Sequence, residues 1–282
     1  MPNWTDNTIY FRNEEDFKEA KKYMVSLDKD LNEHVDFEII SPVPKSLNIE
    51  CSSLTSDIEK ASSFDELSED NKNLLMRKAN EIMNNNLESF EKDFIANLIK
   101  SENSEDKENI TQRIFDAYKK VIAFNKETYG CKDWYDFCCS EWGTKWNACD
   151  SYVDNNMHEI KFLTAWESPK EYLEKLSKNL GNIPLFMISE YEGGALEKIT
   201  YQNGETIERE YFDYYEQYGA EAYLKEVLQA EPTKELIEST YDGDDYWDWR
   251  NDKTSQLWDD LYAEGMDELE RLSMRNEIEK EM

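Results

Sequence analysis

The sequence predicts an α+β protein built on a ferredoxin-like antiparallel sheet, with a helical insertion in its middle and an acidic helical extension at its C-terminus. Three observations lead there. Two stretches each read strand, helix, strand; a long run of helical apolar spacing separates them; and helical spacing returns after the last strands in a segment crowded with carboxylates. The expected domains are a ferredoxin-like domain from residues 1–50 and 125–212, a helical insertion at 51–124 and an acidic helical tail at 213–282.

Thr8 to Arg12 (Thr-Ile-Tyr-Phe-Arg) is β-favouring, and Asn13 is a helix N-cap in front of Glu14 and Glu15. In the helix that follows, Phe17, Ala20, Tyr23 and Met24 share one face, fit to pack on a sheet. Val35 to Ile40 alternates before Pro42 and Pro44 stop it, which predicts a second strand. From about Thr55 to Tyr129 the period becomes helical. Leu75, Ala79, Ile82, Leu87, Phe90, Phe94 and Leu98 form one run and Ile114, Phe115, Tyr118, Val121 and Ile122 another, with the polar Ser101–Asp106 segment expected as the loop between. Glu159 to Trp166 reads as a strand. Ser168-Pro169 then predicts an N-cap and a proline at the first helical position, ahead of Tyr172, Leu173 and Leu176 in a helix to about Leu180. Pro184 to Tyr191 is an apolar strand, and Asn203-Gly204 between Leu196–Tyr201 and Thr206–Phe212 is a strong hairpin signal. Beyond Phe212, Tyr218 to Leu228, Thr233 to Ser239 and Ser255 to about Glu281 read as helices.

With 282 residues, 39% of them hydrophobic and 13% aromatic, the chain has the material for a core. Its 32 Lys+Arg stand against 63 Asp+Glu, a net charge of −31, so duplex nucleic acid is repelled and no direct nucleic-acid partner is expected. From Glu205 onward there are 8 Lys+Arg and 24 Asp+Glu, a net −16, so about half of the charge sits there. No apolar run approaches the ~20 residues that span a bilayer, and the opening residues lack a basic segment followed by an apolar one. A cytoplasmic protein without a membrane partner is the expectation. The odd number of cysteines (Cys51, Cys131, Cys138, Cys139, Cys149) fits reduced thiols, and their gaps lack the short C-x₂₋₄-C spacing that chelates zinc. His34 and His158 are the only histidines, no HExxH is present, and phosphate loops, GxSxG elbows and kinase signatures are absent. Tyr241-Asp242-Gly243-Asp244-Asp245 fails as a calcium loop because Tyr246 and Trp247 stand where an oxygen ligand and a glycine are needed. With no nucleophile, base and orienter set, the expectation is a protein that is not an enzyme and uses no cofactor or metal.

Four segments carry a family resemblance: Met1-Pro2-Asn3-Trp4; Ile40-Ser41-Pro42-Val43-Pro44; Tyr129 to Phe137 leading into Trp142-Gly143-Thr144-Lys145-Trp146-Asn147-Ala148; and Phe162 to Pro169. Together they resemble the YubB-type, or Api-like, ferredoxin-like proteins of bacterial plasmids and phages. The match spans roughly residues 1–50 and 125–212, with Trp-Gly-Thr-Lys-Trp its most specific element. The chain departs from the family's pattern at Thr5, where a cysteine is common, and at Asn147, where an aspartate is common. The resemblance implies the fold and a mobile-element origin, and no activity.

Two sets of residues are candidates for binding. Asp242, Asp244, Asp245, Asp248, Asp252, Asp259 and Asp260 are interleaved with aromatics including Trp249. Such carboxylates attract a basic surface, and Trp is a residue type that anchors interfaces. This pattern, with the implied origin, leads to an expected function: binding and inhibiting a host protein with a basic surface, a defence nuclease or other nucleic-acid-processing enzyme, in the bacterial cytoplasm through a DNA-mimic-like face. Alternatively, Trp142, Lys145 and Trp146 form an aromatic platform with a cation for a nucleotide or other small ligand, or they fill the core.

Overall fold

Asn13 separates the first strand from the first helix: its side-chain oxygen accepts from the backbone N–H of Glu15 and Asp16, both at 2.9 Å, so the chain leaves β1 (Trp4–Tyr10) and enters α1 (Glu14–Met24) as expected. A computed structural model describes residues 3–49, 51–83, 107–192 and 194–281. They divide into two compact units, Met1–Ser41 with Trp142–Met282, and Pro42–Glu141.

The first unit is α+β. Its six-stranded sheet is antiparallel throughout, in the order β4 (Cys149–Asp154), β5 (Glu159–Ala165), β1, β6 (Leu185–Tyr191), β7 (Ala195–Gln202), β8 (Glu205–Asp213). Taking β4, β5, β1 and β6 alone, β1 lies between β5 and β6 and β5 between β4 and β1, which is the strand order of two interlocked β-α-β crossovers and so the ferredoxin-like arrangement. The crossover helices are α1 and α6 (Lys170–Leu180), the latter following the helices of the second unit in the chain. The Tyr172 hydroxyl donates to the Tyr23 carbonyl at 3.2 Å, tying the two together, and Phe37 packs between the Tyr172 ring and Phe162 of the sheet.

The second strand is not where the alternation of Val35 to Ile40 puts it. Only Glu33–Val35 is extended (β3), paired with β2 (Val25–Leu27) in a separate two-stranded sheet, and Phe37–Ile39 is a 3₁₀ turn. Asp36 Oδ1 accepts the Glu38 N–H at 3.0 Å and Asn147 Oδ1 accepts the Phe37 N–H at 2.8 Å, so side chains take the donors a ladder would need. Cys149–Asp154 supplies the edge strand instead.

β7 and β8 widen the sheet through the Asn203-Gly204 turn, both residues at positive φ as a tight hairpin requires. The segment after Asp213 is helical, in α7 (Tyr214–Gln217), α8 (Ala220–Glu226), α9 (Lys234–Thr240) and α10 (Asp244–Glu281), and it is part of the first unit's core. Leu261 and Leu269 of α10 are buried with Tyr10, Phe186, Ile188 and Leu196 on the sheet face opposite α1 and α6. Gly265 permits the approach: a Cβ there would lie 2.5 Å from the Phe186 ring.

In the second unit, α2 (Ser53–Lys60), α3 (Glu69–Met83) and α4 (Lys107–Tyr129) fall in the stretch of expected helical spacing, α5 (Trp134–Glu141) is a further helix beyond it, and Leu75, Ile114, Phe115, Tyr118, Val121 and Ile122 meet in one apolar cluster. Leu87, Phe90, Phe94, Leu98 and the Ser101–Asp106 loop lie outside the described residues. Asp133 is fully buried and caps α5, accepting from the N–H of Tyr135 and Asp136; burial pushes its carboxyl up. Among the described residues, no helix is long and apolar enough to cross a membrane, and no group of His, Cys, Asp and Glu could hold a metal ion. No disulfide joins the five cysteines.

Candidate functional site

Strand direction alternates across the sheet, so the start of β1, the ends of β5, β6 and β8 and the start of β7 come together at one end. There they surround a groove of about 330 Å³. Its floor is Glu197. Every residue of β7 is buried, and Glu197 projects onto the α6 side, where no water reaches it. A lone carboxylate there would be costly; this one is saturated. Arg209 Nε donates to Oε1 at 2.6 Å, while Tyr191 OH at 2.6 Å, Lys170 Nζ at 3.0 Å and Ser168 Oγ at 3.3 Å meet Oε2. Burial works to raise the Glu197 carboxyl, but the Tyr191 hydroxyl and the two cations outweigh it and hold the group below its ordinary range. Burial, and then the hydrogen bond to Glu197, push the Tyr191 phenol far up, so it remains a donor.

The walls are aromatic. Tyr211 stands 6.4 Å from Tyr191, ring to ring, and is 58% exposed. Trp166 follows β5, its N–H bonded to the Asn3 carbonyl at 2.9 Å, with φ at +76° and half of its surface open to solvent. Positive φ is unusual for a bulky side chain, and a large apolar ring left exposed gains nothing by burial. Trp4 completes the walls, its N–H donating to Glu192 Oε2 at 2.9 Å. Glu167, Glu192 and Asp213 also line the groove.

The residues expected to bind fall in three different places. Trp142 is 2% exposed, edge-on to Phe37 at 5.7 Å, and its Nε1 donates to the Ser41 carbonyl, so it belongs to the core. Lys145 lies over the Trp146 ring at 4.6 Å, and Trp146 in turn lies 6.2 Å from Trp4. Asp242, Asp244, Asp245, Asp248, Asp252, Asp259 and Asp260 are all exposed, from just before α10 to near its middle. Trp249 turns inward among Tyr218, Tyr223 and Tyr246, while Trp247 and Tyr241 face solvent.

Sequence reasoning passed over Ser168, Lys170, Glu197 and Arg209. Ser168 reads as an N-cap, but its hydroxyl bonds Tyr191 and Glu197 and makes no cap. A usable signal was Glu197-Lys198 in the middle of Leu-Glu-Lys-Ile-Thr-Tyr: opposite charges at adjacent positions of a buried strand demand a paired site on each face.

No family model matches the chain, and no curated protein matches it. Among solved structures, the crystal structure of a protein api92 from Yersinia pseudotuberculosis, described with the family DUF1281, is similar over 75% of this chain and 98% of its own, at 11% identity and a TM-score of 0.34.

Proposed function

We propose that this chain is a binding protein that acts by occupying the basic surface of a partner. In the fuller form of this reading, it is an Api-like (YubB-type) protein of a plasmid or phage that blocks a host defence nuclease or other nucleic-acid-processing enzyme in the bacterial cytoplasm. The observation that carries the reading is the distribution of charge on α10. Asp245, Asp248, Asp252 and Asp259 follow at three-, four- and seven-residue spacing and so share one exposed face. The nearby cations point elsewhere: Arg250 is buried against Tyr214 and Trp247, and Lys253 lies over Trp249 and pairs with Glu226. The carboxylates are therefore left to act together outward. Such a face draws in a basic partner from a distance, and exposed Trp247 and Tyr241 then give contact area.

The test is a pull-down from bacterial lysate at low and high salt with the wild type and with a variant carrying Asp244→Asn, Asp245→Asn, Asp248→Asn and Asp252→Asn. The reading requires a captured basic enzyme whose own activity is inhibited by the wild type, with capture weakened by the variant and by salt. Equal capture in all conditions, or inhibition that the variant retains, overturns it.

A further inference from the structure

The groove at the end of the sheet is distinct from the acidic face of α10. We propose that it binds an organic cation, a primary ammonium or guanidinium group, seated against Trp166 and Tyr211. The sign follows from the charges on its walls. Lys170 and Arg209 are both engaged by the buried Glu197, at 3.0 and 2.6 Å, so the two cations and their shared carboxylate leave the floor with a single net positive charge. Around it stand three carboxylates, Glu167, Glu192 and Asp213, which outweigh that one positive charge, and among the described residues no further Lys or Arg lines the groove. An anion entering there meets those carboxylates and must draw Arg209 from its partner; a cation meets carboxylates and aromatic faces, whose π-electrons favour positive charge. The volume, about 330 Å³, accommodates a lysine- or arginine-sized group. Half-exposed Trp166 and Tyr211 are available as walls without rearrangement of the core.

The cation has two possible sources, a free polyamine or the side chain of a basic protein. Calorimetric titration of the full chain to about 10 mM with spermidine, and separately with a blocked glycyl-arginyl-glycine peptide, distinguishes them. Either one binding supports the proposal, provided that affinity falls about tenfold in Trp166→Gly and again in Glu192→Gln, the loss of one cation–π contact or one charge. The α10 aspartate variant should bind as the wild type does, so failure of the partner reading leaves this result standing. Trp166→Gly should stay within about 1 kcal/mol of wild type in stability; if it unfolds, Tyr211→Ala takes its place. The proposal fails if neither cation binds, if the wall variants bind as well as wild type, or if AMP binds in their stead through Arg209.

Discussion

Glu197 and Lys198 are neighbours on one strand with opposite charges, opposite faces and opposite surroundings. Glu197 gathers two cations and two hydroxyls beneath an open groove. Lys198, 1% exposed, gathers three carboxylates, Glu208 at 3.6 Å, Glu264 at 3.1 Å and Glu210, and Glu264 comes from α10. The alternation of a strand puts one ion on each side of the sheet, and each burial is tolerable only because partners converge on it. The difference lies in what closes over them. α10 covers Lys198, which makes that cluster a clamp between sheet and helix; only the groove stands over Glu197, which makes the other cluster a support for a surface that solvent can reach.

Removing Glu197 should have the largest effect. Glu197→Ala leaves Lys170 and Arg209 facing each other without their shared anion, and stability should drop by about 3 kcal/mol, the low end of the range for a broken buried pair because Arg209 is 55% exposed and can rehydrate. Urea midpoints check this. The folded carboxyl lies below its ordinary 4.5, so its contribution is present above that value and is lost as pH falls through the lower folded one; wild type and variant should converge in acid. A variant as stable as wild type at neutral pH would erase the contrast.

Next comes the closure on the other face. Gly265→Ala sets a Cβ 2.5 Å from Phe186, a fully buried ring stacked on Tyr10 at 4.8 Å, so ring or helix must move. The expected cost is about 2 kcal/mol in chemical denaturation, with hydrogen exchange rising first in α10. If α10 is as protected as before, it is not the lid over Lys198.

These two sites also mark what the sequence disclosed. β1, α1, β5, α6, β6 and the hairpin were legible because each has a local signal: the Asn13 cap, the apolar spacing of Tyr172, Leu173 and Leu176, the Asn203-Gly204 turn. β4 was not, since Cys149–Asp154 is a half-exposed edge with a register shift and no apolar face. That the tail is a layer of the core was written in Leu261, Leu269 and Leu272 at helical spacing, but the abundance of carboxylates drew attention to its outer side. The groove was invisible because its members come from five strand ends and from α6, and only the sheet order brings them together.

Lys198→Met should cost less than either, about 1 kcal/mol, because its partners Glu208, Glu210 and Glu264 are 45%, 32% and 60% exposed and a methionine fills the apolar path. Burial lowers the lysine, and the carboxylates of Glu210 and Glu264 more than offset it, holding the group above its ordinary 10.5. A raised value means that its contribution is whole below 10.5 and is lost as pH rises through the folded value. The wild type should therefore lose its advantage over Lys198→Met in strong alkali, a limb on which the folded Glu197 carboxylate does not titrate; an advantage undiminished there would remove this half of the comparison.

The smallest effect sharpens the contrast most. Trp166 sits at φ +76° with half of its side chain in solvent, so its replacement by glycine relieves backbone strain and removes little buried area. Glycine also makes the unfolded chain more flexible, which offsets the relief. The sum should lie within about 1 kcal/mol of zero, measured by thermal melting. A residue that contributes nothing to the fold in a strained conformation is held there for what its ring does outside, and the same variant should then lose the groove's affinity for a cation. If Trp166→Gly instead lowers stability by as much as Gly265→Ala, the ring is packing material, and the groove side of the sheet is as closed as the other.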